Sequence, residues 1–113
     1  MKVSIIGSGL MGKDIALVLS NSHDIESINL VSLYSQTNKK NLEINEHFEM
    51  MSQRHKKKIS VENLNKVNIR FDISDVSNSD FIIETVKEEF KAKVKLIESV
   101  NEFVDKHTHL FSN

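Results

Sequence analysis

The chain contains no cysteine, no proline and no tryptophan, and only three glycines among its 113 residues. Without cysteine there are no disulfides and no thiolate metal ligands. An excess of one charge is also missing. With 15 basic against 16 acidic side chains, net charge argues for neither a nucleic-acid nor a membrane partner. There is no long hydrophobic run at the start, where residues 3–6 are too few for a signal-peptide core or a membrane span. The expected address is therefore cytoplasmic. What is present, 39% hydrophobic and 27% charged residues, fits one soluble globular domain with a modest core rather than a disordered chain.

All three glycines fall within six positions, Gly7, Gly9 and Gly12, in "GSGLMG". Their surroundings decide what they mean. Residues 2–6 are a short β-branched run that reads as a buried strand. Residues 11–19 follow with Met11, Ile15 and Leu19, plus Ala16 and Val18, as a helical stripe broad enough to lie on a sheet. Residues 28–33, "INLVSL", read as a second strand buried on both faces. Residues 37–67 differ: Leu42, Ile44, Phe48, Met51 and His55 lie near helical spacing, ahead of the basic run "RHKKK". A shorter helix after Ser60, a residue suited to N-capping, would complete a helical hairpin.

Further strands are predicted at 67–71, 81–85 and 108–111, with a single turn at 72–76. The longest helix is predicted over 87–106, where Phe90, Val94, Ile97, Val100 and Val104 recur every three or four residues. Strands alternating with helices predict an α/β fold, with a Rossmann-like parallel sheet of about five strands.

A strand, then G-x-G-x-x-G, then a helix is the context in which the glycines become a dinucleotide-binding signature. Gly7 permits the tight turn, Gly9 leaves room for a pyrophosphate, and Gly12 lets helix and strand pack closely. The helix N-terminus then offers free N–H groups to the phosphates. The second strand normally ends in a carboxylate that holds the ribose 2′-hydroxyl. Here Tyr34 or Ser35 takes that place, followed by Lys39 and Lys40. NAD is the expected cofactor, and NADP stays open.

Three separated stretches, "SIIGSGLMGKDIALVLS", "SDFIIETVKEEFKAKVKLIESVNEFV" and "HLFSN", together resemble the NAD-binding domain of 3-hydroxyacyl-CoA dehydrogenases. The match runs over nearly the whole chain, and the helical hairpin at 37–67 is also a family feature. The resemblance implies that Gly7, Gly9, Leu10, Met11 and Gly12 form the pyrophosphate loop. It implies that Val86 and Glu88 border the nicotinamide ribose, with Lys93 nearby. Ser112 would be the active-site serine that hydrogen-bonds the substrate oxygen, with Asn113 its neighbour. Glu84 belongs to the same motif without an assigned role. Lys56, Lys57 and Lys58 would face the phosphates of an acyl-CoA.

Each of these residues also has a plain structural reading. Glu88 suits a helix start, Lys93 could only pair with Glu89, and the lysine run could be a solvated helix end. His107 and His109 alternate in a strand, yet a third metal ligand is not apparent.

In the family it resembles, a catalytic histidine lies beyond the Ser-Asn motif, oriented by a glutamate, and a separate helical domain closes the substrate cleft. Residues 1–113 are accordingly expected to be a dinucleotide-binding domain, inactive alone, and either homo-oligomeric or lacking that C-terminal domain. A stand-alone nucleotide-binding or sensing module is the alternative from another class. A dehydrogenase domain of the 6-phosphogluconate or 3-hydroxyisobutyrate type is the enzyme alternative.

Overall fold

The computed structural model describes residues 1–33, 37–87 and 90–112, apart from the side chains of Thr37 and Phe90. Five strands, β1 (Lys2–Ile6), β2 (Ser27–Val31), β3 (Val67–Arg70), β4 (Phe81–Glu84) and β5 (His109–Ser112), form one sheet in the order β3-β2-β1-β4-β5. Every pairing is parallel. The connecting helices are α1 (Leu10–Ser20), α2 (Thr37–Arg54), α3 (Val61–Leu64) and α4 (Phe90–Asn101), with a short 3-10 helix at Ile73–Val76. The expected α/β class and five-stranded parallel sheet are both found. Among the described residues, no helix is long and apolar enough to cross a membrane.

Both sheet faces are covered, which explains the near-continuous apolar strands. On one face Val3, Ile5, Ile28 and Leu30 pack with Ala16 and Leu17 of α1 and with Ile44 and Phe48 of α2. On the other, Ile6, Val31 and Ile82 pack with Val76 of the 3-10 helix and Val100 of α4. Adjacent residues such as Ile5 and Ile6 thus feed opposite cores, as the two-residue period of a strand requires.

The structure corrects three details of the sequence reading. Helix α1 does not set Met11 and Val18 on the sheet: they are 45% and 70% exposed, while Ala16 and Leu17 are buried. Close packing at Gly12 rotates the helix so that its smallest side chains meet the strands. The second helix of the hairpin is a single turn, Val61–Leu64, although Ser60 caps it as expected by accepting the N–H of Asn63. Helix α4 is shorter than 87–106 because its end tightens, Phe103 N–H bonding to the carbonyl of Val100 at 2.9 Å. Phe103 and Val104 still pack on the core, as does Leu96, whereas Val94 is exposed.

Candidate functional site

The order β3-β2-β1-β4-β5 reverses direction between β1 and β4, and open α/β sheets form a crevice beyond the strand ends at such a point. The glycine loop lies there. Gly7 leaves β1 with φ +112, a conformation that side chains rarely adopt, and a Cβ on it would meet Thr85 Oγ1 at 2.4 Å. A Cβ on Gly12 would fall 1.8 Å from the carbonyl oxygen of Gly7. These two glycines are demanded by the fold itself.

Gly9 is different. Its φ of −71 and ψ of −171 suit any residue, and a Cβ there would meet nothing within 4 Å. The fold does not require glycine at this position, and the space beside it is open. Gly9 is also the N-cap of α1 and makes no side-chain cap hydrogen bond, at the end of the helix where the macrodipole is positive. Backbone donors and a positive dipole end beside open space suit a phosphate.

Thr85, immediately after β4, ties the loop down: its N–H and Oγ1 both donate to the carbonyl of Ile6, at 2.9 and 3.0 Å. On the other side, buried Ser8 donates to Ser32 Oγ at 2.8 Å, which fixes the loop to the end of β2. Above the loop opens a cleft of about 960 Å³ that includes Gly9, Leu10, Met11, Leu33, Val86 and Lys87 in its walls. The exposed face of α1, with Val18, extends this wall as apolar surface.

Beside the cleft, β4 and β5 place Glu84 and Ser112 in register, side by side. Glu84 is fully buried, and among the described residues three donors meet its carboxylate. Val86 N–H donates to Oε1 at 2.5 Å, Ser112 Oγ donates to Oε2 at 2.8 Å, and Lys93 Nζ lies 3.3 Å from Oε2. A second polar cluster joins α1 to α2. Lys13 and Lys40, both buried, each reach Glu43 Oε1 at 3.1 Å. The ammonium groups of Lys40 and Lys13 hold the Glu43 carboxyl below its ordinary value. Asp14, in the cleft wall, meets His47 Nε2 at 3.1 Å.

Gly7, Gly9, Leu10, Met11, Gly12 and Val86 line one cleft; Lys93 and Ser112 do not line it and are tied to it through Glu84, which bonds the N–H of Val86. Tyr34, Ser35, Glu88 and Asn113, as well as the Glu89 expected to partner Lys93, lie outside the described residues. Lys56, Lys57 and Lys58 are not brought to the loop. The Lys58 carbonyl accepts from Asn21 Nδ2 at the C-cap of α1, and the glycine loop is one helix length away, about 16 Å. His109 stacks on Phe81 with ring centroids 5.3 Å apart. Sequence reasoning assigned nothing to Ser8, Ser32, Thr85 or the His47–Asp14 pair. Their partners are far apart in the chain, and only the assembled sheet and the packing of α1 on α2 bring them together.

The sequence matches the family model of the 3-hydroxyacyl-CoA dehydrogenase NAD binding domain over residues 2–113. No curated protein matches it. Among solved structures, the dehydrogenase part of multifunctional enzyme 1 from C. elegans shares 31% identity over 99% of this chain and 26% of that one, with a TM-score of 0.73. A 3-hydroxyacyl-CoA dehydrogenase from Archaeoglobus fulgidus shares 26% identity over 100% of this chain and 33% of that one, with a TM-score of 0.74. The 3-hydroxybutyryl-CoA dehydrogenase of Escherichia coli K12, 22% identical, superposes on the whole chain with a TM-score of 0.83 and is matched over 24% of its length, a likeness of fold. The chain thus spans a third or less of these three proteins. It belongs to the 3-hydroxyacyl-CoA dehydrogenase family and corresponds to that family's NAD-binding domain.

Proposed function

We propose that this chain holds the cofactor half of an oxidoreductase acting on 3-hydroxyacyl-CoA, and that residues 1–113 bind the dinucleotide without turning it over. The observation that carries this reading is Gly9, a glycine with ordinary dihedrals and open space where its side chain would be. The N–H groups of the first turn of α1 would bind the pyrophosphate, and Leu10 and Met11 would flank it. Val86, Lys93 and Ser112 would take the nicotinamide end, with Glu88 and Asn113 beside them. A bound nicotinamide ring would supply the hydride acceptor or donor. The proton of the substrate hydroxyl would go to a base outside these residues. In this reading residues 1–113 work together with a further domain or a second copy, and in the cytoplasm.

The cofactor reading extends to its 2′ position. Residues 34–36, Tyr-Ser-Gln, carry no carboxylate to repel a 2′-phosphate, so NADPH binds within about tenfold of NADH. Calorimetric titration with NADH and NADPH tests both statements. Binding that Gly9→Val abolishes supports the cofactor domain. Silence with both cofactors from a folded sample refutes it, and a preference for NADH beyond a hundredfold refutes the second statement.

A further inference from the structure

Ser112 and Glu84 are registered neighbours at the carboxyl ends of β5 and β4, and the direction of their hydrogen bond has a chemical consequence. Among the described residues, the groups at the Glu84 carboxylate are all donors: the N–H of Val86, the ammonium of Lys93 and the hydroxyl of Ser112. Ser112 Oγ donates to Oε2, so its single hydrogen is committed to that bond. The remaining hydrogen-bonding capacity of Ser112 Oγ is its lone pairs, and the residue is otherwise exposed.

We infer that Glu84 is a positioning residue that turns Ser112 into a hydrogen-bond acceptor towards the nicotinamide end of the cleft. The inference rests on the cofactor-binding reading above and deepens it. Ser112 then selects ligand groups that carry a hydrogen: a ribose hydroxyl, a carboxamide N–H, or the hydroxyl of an alcohol substrate rather than the oxygen of a ketone. The same carboxylate anchors Lys93 and, through Val86 N–H, the segment leaving β4 that lines the cleft. One buried group therefore sets the orientation of three neighbours.

Glu84→Gln tests this directly, because it nearly preserves shape while replacing one acceptor with an NH2 donor. The amide oxygen keeps the Val86 N–H at the Oε1 position and the NH2 takes the Oε2 position, where Ser112 reverses to accept, its hydroxyl then pointing outwards as a donor, and the Lys93 ammonium turns away. NADH and ADP are titrated separately into wild type, E84Q, S112A and the double variant, since ADP lacks the nicotinamide end. The expected result is about a tenfold loss of NADH affinity in each single variant, no further loss in the double variant, and unchanged ADP binding. Losses that multiply to about a hundredfold, an equal loss for ADP, or wild-type NADH affinity in either single variant would overturn the inference. A wild-type chain that binds neither ligand would instead refute the cofactor reading itself. Should E84Q not fold, the carboxyl carbon of Glu84, followed by ¹³C NMR in S112A, decides the matter. A shifted resonance supports the contact, and an unmoved one overturns it.

Discussion

Adding the same methyl group at Gly9 and at Gly12 should have opposite consequences, although the two positions are three residues apart. In Gly12→Ala the new Cβ falls 1.8 Å from the Gly7 carbonyl oxygen and 2.9 Å from its carbon, both backbone atoms. Helix α1 must then lift from β1 by more than an ångström. Overpacking of this kind costs about 1–3 kcal/mol and occasionally more, and the better helix propensity of alanine returns about 1 kcal/mol. With backbone as the obstacle, the upper end of that range applies, and the net loss is about 2 kcal/mol. In Gly9→Ala the methyl enters open space at ordinary dihedrals. Restricting the unfolded chain stabilises by about 0.4–1 kcal/mol, and losing glycine from the N-cap costs a similar amount. Its stability therefore stays near that of wild type, while the methyl occupies the approach of the phosphate and weakens NADH by at least about 1.4 kcal/mol, or tenfold. Urea denaturation and calorimetry on the two variants check the pair. A Gly12→Ala chain as stable as wild type would refute the packing argument. A Gly9→Ala chain that binds NADH normally would refute the assignment of the open space to a phosphate.

Lys93→Met strands the buried Glu84 carboxylate and should cost about 3 kcal/mol in urea denaturation, with Glu84→Gln in the same chain recovering much of the loss. Ser8→Ala removes the hydroxyl that fixes the loop to buried Ser32 and should cost about 1 kcal/mol, seen as a lowered urea midpoint without loss of fold. The carboxyl of Glu43 sits below its ordinary 4.5 in the folded chain, so its stabilising effect is complete above that value and fades as pH falls through the lower folded value. Glu43 is half exposed, which limits the effect to about 1 kcal/mol. The urea midpoints of wild type and Glu43→Gln should therefore differ at pH 6 and converge in strong acid, and an equal gap at both would refute the linkage.

Much of this molecule is legible residue by residue. The apolar runs at 2–6 and 28–33 announced strands buried on both faces, because a doubly covered sheet leaves no polar side to alternate with. The glycine spacing announced a loop at a helix start, and the strand before it and the helix after it gave that spacing its meaning. The three stretches resembling the dehydrogenase family all lie within residues 2–113, which the family model matches.

Other features exist only once the sheet is assembled. Periodicity marked α1 as apolar but could not set its rotation, which the contact between Gly12 and the Gly7 carbonyl decides, leaving Met11 and Val18 exposed along the cleft. Glu84 had a place in the family motif but no role until parallel register placed it beside Ser112 and within reach of Lys93. Lys13, Lys40 and Glu43 likewise meet only because α1 and α2 pack on the same face. Local sequence determined which segments are strands and helices and where a phosphate-binding loop belongs, since backbone propensity and side-chain period act over neighbouring residues. Register and packing bring together residues as far apart as Ile6 and Thr85, 79 positions, and close the 28 positions between Glu84 and Ser112, and so the tertiary structure alone decided which way a serine hydroxyl points.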